Sequence, residues 1–256
     1  MSTTSRIVTC LLLAAATWLN TALAQDDAND GVARLVLITP KEGQNQALLQ
    51  AITDYHKWIA QFEGHHRYQW YEVLTGPDTG KYIARSGNHD WADFDASPAW
   101  QAQADERFGK NVAPLVADTD IWMTTEMRDL SHWPESMEGY THYQVETWYV
   151  KSGQYGAFRR GLKQIVDTLK AGNFGGHWGI FSVASGGYGN QIELVMPNRG
   201  WAGMVEQDPS FFDVMSKALG GPESFDSFMS EWGATYKAGP TRMVRYLPEA
   251  SDYGSD

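Results

Sequence analysis

The feature that most constrains the fold is an internal repeat, in which residues 43–91 return 110 positions later as residues 153–201. Each copy opens with Gly-Gln and continues with four apolar residues at the same spacing, Leu48, Ile52, Tyr55 and Ile59 in the first copy and Phe158, Leu162, Ile165 and Leu169 in the second. This spacing places the four side chains on one face of an amphipathic helix. The chain is therefore predicted to contain two copies of one folding unit.

The predicted elements follow the same order in both copies. The first copy contains a β-branched strand at 33–39, a helix at 44–62, two strands at 66–74 and 81–86 around a Gly- and Pro-rich loop, a second helix that begins at Ser97-Pro98, and a last strand at 121–127. This is the β-α-β-β-α-β order of a ferredoxin-like unit. The predicted fold class is α+β, with tandem ferredoxin-like units whose two antiparallel sheets face each other.

Composition sets the predicted boundaries of these units. Residues 131–140, which include Pro134 and Gly139, are predicted to link a first unit at 33–130 to a second unit at 141–248. Residues 25–32 are predicted to form a mobile lead-in, and residues 249–256 a disordered tail, because both stretches are polar.

The first 24 residues have the three parts of a secretory signal peptide. Arg6 lies in a short polar start, residues 7–19 are mostly apolar, and Ala22-Leu23-Ala24 is a small-x-small cleavage site. We therefore expect cleavage after Ala24 and a periplasmic or secreted protein. Cleavage would also remove Cys10, the only cysteine, so disulfides and thiolate chemistry are not expected in the mature chain.

The charge balance makes two classes of partner unfavourable. The sequence has 20 basic and 31 acidic side chains, and loss of Arg6 with the predicted leader takes the formal net charge from −11 to −12. Nucleic acids and anionic lipid surfaces bind clustered Lys and Arg, so neither partner is expected. No second apolar run is long enough to suggest a membrane span.

The doubled β-α-β-β-α-β unit between about Ala33 and Leu247 resembles the dimeric α/β-barrel superfamily. This superfamily includes the antibiotic-biosynthesis-monooxygenase, EthD and NIPSNAP-like domains and the chlorite-dismutase-like haem proteins. The resemblance rests on element order and on the repeat, and it implies that two sheets pair and enclose a shared pocket. Fold alone does not identify what enters such a pocket.

Strand faces supply the candidate site residues, because alternate side chains of a strand point to opposite sides of the sheet. In the strand at 141–150, the more apolar set (Tyr143, Val145, Thr147 and Tyr149) is assigned to the helices, which leaves the other set for the pocket. The pocket-facing set of this strand, together with the alternating residues of the strand segment that begins at His66, gives the candidate catalytic residues His66, His142 and Glu146. The candidate ligand-binding residues are Arg34, Tyr68, Trp70, Gln144 and Trp148.

Two interpretations of these residues stay open at this point. A histidine with a carboxylate nearby could perform acid–base chemistry on a small substrate without a cofactor. The same groups could instead be satisfied polar side chains at a seam between the sheets. The sequence thus predicts a small-molecule-binding protein and leaves open whether it is an enzyme and whether it forms a homo-oligomer. The alternative is a non-catalytic component that binds a sugar or a protein.

Metal ligands are not predicted at any spacing in the sequence. His65 and His66 are neighbours and would point to opposite faces of a strand, and His142 and Glu146 would lie about 13 Å apart along one at ~3.3 Å per residue. A haem held by a single histidine leaves no spacing signature, so haem is retained as an alternative without an assigned ligand.

Overall fold

The computed structural model describes residues 31–252, which form an α+β fold. The strands are β1 (Val32–Pro40), β2 (Gln69–Val73), β3 (Tyr82–His89), β4 (Val116–Glu126), β5 (His142–Val150), β6 (Gly179–Ser185), β7 (Gln191–Asn198) and β8 (Tyr236–Tyr246). The α-helices are α1 (Asn45–Ile59), α2 (Gln101–Asn111), α3 (Tyr155–Ala171), α4 (Phe211–Leu219) and α5 (Pro222–Gly233). The predicted signal peptide, residues 25–30 of the lead-in and residues 253–256 of the tail lie outside the described residues. Among residues 31–252, no helix is long and apolar enough to cross a bilayer.

The eight strands form one antiparallel sheet that closes into a barrel in the order β1-β3-β2-β8-β5-β7-β6-β4. Each copy contributes four neighbouring strands, and the copies join where β2 pairs with β8 and where β4 pairs with β6. The two antiparallel sheets that were predicted to face each other are thus joined along both edges into one closed sheet. The edge strands of each four-stranded sheet hydrogen-bond to the other copy, which leaves no free edge.

Backbone geometry confirms the repeat inferred from the sequence. β1 and β5 are both nine residues long, and β4 and β8 are both eleven. Gly43 and Gly153 precede equivalent helices with the same φ of +73°, a conformation that favours glycine. The second copy also contains α5, which the first copy lacks, and this added helix moves β8 out of the offset of 110.

Both faces of the sheet are buried. Outside the barrel, the helices of each copy cover an apolar layer, in which Leu48 and Phe158 are equivalent, fully buried residues. Inside the barrel, a third apolar cluster includes Leu37, Tyr71 and Val183. The barrel interior is thus a core of its own rather than a polar seam.

Residues 249–252 are ordered, so the predicted disordered tail is wrong for this part. Ala250 is buried, and Asp252 Oδ1 accepts a hydrogen bond from the Tyr68 amide at 2.8 Å. Asp252 Oδ2 lies 3.5 Å from His56 Nδ1 and 3.3 Å from His65 Nε2. Burial opposes ionisation of Asp252, but these partners outweigh it and lower the pKa of the carboxyl. Partners this distant in sequence cannot be recognised from a polar terminal stretch.

Candidate functional site

The barrel contains a cavity of about 360 Å³, within the ~300–1,000 Å³ typical of small-molecule sites. Every strand and the linker contribute to its wall. Most of the lining is apolar and includes Leu35, Ile83, Val145, Phe181, Val195 and Val244. A few polar groups converge on the same space, among them Gln69, Arg85, Glu126, Glu193 and Arg242.

One cavity arginine is neutralised by carboxylates of the protein. Arg242 Nη2 lies 3.3 Å from Glu193 Oε1, and its Nη1 lies 3.9 Å from Asp78 Oδ2. The Glu193 side chain is only 5% exposed, so this pair is largely removed from water. The Arg242 guanidinium also lies 5.8 Å from the ring centre of Trp122, so it makes a cation–π contact in addition to the ion pair.

The other cavity arginine, Arg85, lies among neutral partners. Pairing places Gln69 and Leu35 opposite Arg85 on the two neighbouring strands, so the three side chains share the inward face. Arg85 Nη1 donates a hydrogen bond to Gln69 Oε1 at 3.2 Å, and its guanidinium lies 5.9 Å from the ring centre of Phe181. Within residues 31–252, no carboxylate lies within 4 Å of this guanidinium.

The linker between the copies forms part of the cavity wall. Trp133 Nε1 donates to Glu126 Oε1 at 2.7 Å, and the indole packs directly on Gly179, where a Cβ atom would overlap the ring. Asn88 and Met137 are lining residues that are exposed, so the cavity meets solvent beside them. The segment predicted as a plain linker thus closes one side of the cavity.

Tyrosine hydroxyls add neutral hydrogen-bonding groups to the wall. Burial raises the pKa of Tyr143 to about 12, with a further contribution from Tyr246, while Arg85 acts in the opposite direction. Tyr71 donates its hydroxyl hydrogen to Gln69 Oε1 at 3.3 Å. Tyr143 therefore stays protonated at neutral pH; its hydroxyl donates to the Tyr140 carbonyl at 3.4 Å, and its oxygen can accept a hydrogen bond from a ligand.

The predicted site residues of the second copy lie outside the cavity, on the helix side of β5. Trp148 is buried in the helix layer, 5.5 Å from Trp232 between ring centres. Gln144 donates to Glu146 Oε1 at 3.1 Å. His142 lies 5.6 Å from the ring of Trp201, and burial followed by Arg245 lowers its pKa. Their predicted placement in the pocket is wrong.

The predicted site residues of the first copy also lie outside the cavity. Trp70 is 3% exposed under α1, and Tyr68 packs against the same helix layer. His66 precedes β2, and its ring centre lies 4.8 Å from that of His89 with the ring planes tilted by 39°. Arg34 is close enough to affect the pKa values of His66 and Tyr68. The structure thus brings Arg34, His66 and Tyr68 together, but on the outer side of the barrel.

The strand faces were assigned the wrong way round because the inside of the barrel is the more apolar side of β5. Tyr143 and Val145, which were assigned to the helices, line the cavity. Sequence reasoning also missed Arg85 and Glu193. A usable signal was present, since Arg85 directly follows three apolar or aromatic residues of β3 and Glu193 lies between two apolar residues of β7, and a charge in such a position requires a buried partner or a ligand.

Among residues 31–252, no group of three metal-ligating side chains is arranged to hold an ion. His56 and His65 approach Asp252, but their hydrogen bonds do not suit a metal. Trp70 Nε1 donates to His56 Nε2 at 2.6 Å, which leaves the proton of neutral His56 on Nδ1, facing Asp252. This cluster therefore fastens the C-terminal residues to α1 and β2.

A Ser-His-Asp arrangement occurs at the end of β3, but it is not placed for catalysis. Ser86 Oγ lies 2.7 Å from His89 Nε2, and His89 Nδ1 lies 3.3 Å from Asp93 Oδ2. Ser86 is fully buried on the outward face, so its hydroxyl is not accessible to a substrate carbonyl. We interpret the three residues as a structural contact.

The contact between His66 and His89 predicts a loss of stability in mild acid. Burial, mutual repulsion and Arg34 lower the pKa of His66, and burial lowers that of His89 despite Asp93. The unfolded chain, with a histidine pKa of ~6.5, then binds more protons than the folded chain, so stability falls as pH drops through and below this value. We expect a lower melting temperature at pH 5.5 than at pH 7.5. The dependence should be weaker in His66→Phe, which keeps an aromatic ring at this position, and an unchanged dependence would contradict this origin.

The residues present do not fit a haem in the cavity. All seven histidines lie within residues 31–252, and none of them lines the cavity. The raised pKa of Tyr143 opposes the phenolate that could replace a histidine as an iron ligand. In the second copy the space between sheet and helices is filled by a close-packed aromatic cluster around Phe158.

No protein-family profile matches the sequence, and no curated protein matches it. The fold does match solved structures. A protein from Fusobacterium nucleatum that is provisionally named a monooxygenase superposes with a TM-score of 0.53 at 13% identity, over 86% of this chain and 93% of that one. A mutant chlorite dismutase from Candidatus Nitrospira defluvii also gives 0.53, at 8% identity and over 86% and 93%.

A provisionally named monooxygenase from Lactobacillus acidophilus gives a TM-score of 0.51 at 9% identity, over 85% of this chain and 94% of that one. These structures are dimeric α/β-barrel proteins, as the resemblance in element order suggested. Identities this low show a shared fold, and the function has to be argued from the cavity.

Proposed function

We propose that this protein binds a small, largely apolar molecule inside the barrel. The observation that carries the proposal is the cavity of about 360 Å³, whose wall combines apolar side chains with a few convergent polar groups. A side-chain-filled seam would instead have favoured a purely structural role for the interior. The solved neighbours support the fold on which this proposal rests, and nothing more.

The proposed role is binding rather than histidine-dependent catalysis. The hypothesis of acid–base chemistry at His66, His142 and Glu146 required these groups to face the pocket, and they lie on its outer side. The titratable groups that do line the cavity are arginines, carboxylates and tyrosines. Of these, Glu193 is already paired with Arg242.

Native mass spectrometry of the protein purified from its own host tests the proposal. We expect a retained small molecule in the wild type and its loss in Val195→Trp, because the indole would occupy the cavity that Val195 lines. Overpacking of this kind typically costs about 1–3 kcal/mol, so the variant should still fold. Retention of the same molecule by Val195→Trp would place its site elsewhere.

The matched control is Lys237→Trp, which adds an indole to an exposed position of the same barrel. We expect this variant to retain the molecule.

The intact mass and the oligomeric state recorded in the same experiment address two further proposals. These are export with cleavage after Ala24, supported by the three-part leader, and self-association, supported by exposed apolar side chains at Trp201, Met204 and Val205.

A further inference from the structure

We infer that the ligand is an organic carboxylate, which is oriented by Arg85 in the cavity. This inference rests on the proposed function and adds the chemical class of the ligand. Two arginines line the cavity, and among residues 31–252 carboxylates neutralise only one of them. Arg242 faces Glu193 and Asp78, whereas Arg85 has a hydrogen bond to the neutral amide of Gln69.

A half-buried guanidinium without a carboxylate partner is unfavourable unless something else compensates its charge. A ligand carboxylate can do so, because its two oxygens match the donor fork of an arginine. A phosphate dianion fits less well, since Glu126 lines the same cavity and would repel a second negative charge. The net negative charge of the chain also means that any attraction for an anion must be local.

The position of the guanidinium is set by its immediate neighbours. It packs so closely on Gly87 that a Cβ atom there would overlap Nη1, Nη2 and Cζ. Gln69 holds Nη1 by a hydrogen bond, and Phe181 lies near the guanidinium face. Gly87 is therefore a positioning residue, because a larger residue would displace the flexible end of Arg85 without a clash against backbone.

The duplication makes equivalent positions of the cavity wall chemically different. In the first copy, β2 and β3 place Gln69 opposite Arg85. At the equivalent pair in the second copy, β6 and β7 place Gly179 opposite Val195, and the Trp133 ring packs on Gly179. The cation of Arg85 is thus not repeated at the equivalent pair. A guanidinium that lies against the Phe181 ring suits a ligand that carries a carboxylate on an apolar or aromatic body.

Two fluorescent probes with the same aromatic body test this inference, 2-naphthoate and 2-naphthylmethanol. With the wild-type protein we expect 2-naphthoate to bind about 10- to 100-fold more tightly, the range typical of a charge-assisted hydrogen bond. Arg85→Met should abolish this preference and leave the affinity for the alcohol nearly unchanged. Arg85→Lys should retain part of the preference, because it keeps the charge but not the fork.

Gly87→Ala tests the positioning role, and it should lower the ratio of the two affinities while circular dichroism and melting temperature show a folded protein. Arg245→Met is the matched control, since Arg245 lies on the outward face of β8 and pairs with Glu72. It should keep the wild-type ratio. A ratio that Gly87→Ala leaves unchanged would contradict the positioning role.

The possible failures separate the inference from the proposed function. If both probes bind the wild type with equal affinity and Val195→Trp blocks both, the cavity is a binding site but Arg85 does not select a carboxylate. If neither probe binds the wild type, cavity binding of this class of molecule is overturned, and the inference with it. If Arg85→Met prefers 2-naphthoate over 2-naphthylmethanol as strongly as the wild type does, the inference about Arg85 is overturned, while the proposal of cavity binding stands.

Discussion

Phe158→Ala should destabilise the protein by about 3–5 kcal/mol, the range for removal of a buried aromatic side chain. Phe158 is fully buried at the centre of the helix layer of the second copy. Its ring lies 5.6 Å from that of Trp232 and 5.8 Å from that of Trp148, and such aromatic pairs add to the loss of buried area. Urea unfolding followed by tryptophan fluorescence and by circular dichroism measures the effect.

The repeat provides two matched comparisons for this variant. Leu48 is the equivalent of Phe158 in the first copy and is also fully buried, so Leu48→Ala should cost about 2–5 kcal/mol. Tyr155 lies on the same helix as Phe158 but is 48% exposed, so Tyr155→Ala should change stability by only about 0.5 kcal/mol. A loss for Phe158→Ala no larger than that for Tyr155→Ala would show that this helix does not pack on the sheet as described.

The repeat was readable from the sequence because it depends on local pattern. The spacing of Phe158, Leu162 and Ile165 defines one helix face whatever that face packs against. The glycine at Gly153, with its positive φ, likewise reflects a local backbone requirement. These signals predicted the element order and both helices that carry the repeat. They carry no information on how the two sheets meet.

Which strand face lines the cavity could not be read from polarity, because both faces of the sheet are buried. Trp148 and Val145 are both buried residues of β5, yet Trp148 packs under the helices and Val145 lines the cavity. Alternation along β5 shows which residues share a face, but it does not show which of two partly buried faces lies inside the barrel. The rule that the more apolar set faces the helices therefore selected the wrong side.

Closure of the barrel depended on contacts between distant segments. β2 has only five residues, and its partner β8 follows more than a hundred and fifty residues later. Asp252 is a similar case, since its partners His56 and His65 come from the first copy. A single sequence gives no measure of such pairings, so neither the joining of the two predicted sheets nor the ordered contacts of residues 249–252 could be predicted.

Glu193→Leu should destabilise the protein by about 3–5 kcal/mol, because it removes one partner of a buried ion pair. Arg242 would then keep Asp78 at 3.9 Å as its remaining carboxylate, a longer contact than the 3.3 Å to Glu193. Glu193 also accepts a hydrogen bond from Gln191 at 3.0 Å, which would be lost as well. Urea unfolding at neutral pH measures the loss.

The double variant Glu193→Leu/Arg242→Met separates loss of the pair from loss of packing. An apolar replacement of both partners leaves no uncompensated charge, and such replacements of buried pairs are often neutral or stabilising. The double variant should therefore be more stable than Glu193→Leu alone, with a coupling of about 1–3 kcal/mol between the two positions. Additive losses would mean that Asp78, rather than Glu193, balances the charge of Arg242. The cavity wall would then carry, besides the cation of Arg85, a carboxylate at Glu193 whose charge Arg242 does not balance, and a ligand with both a cationic and an anionic group would fit it better than a simple carboxylate.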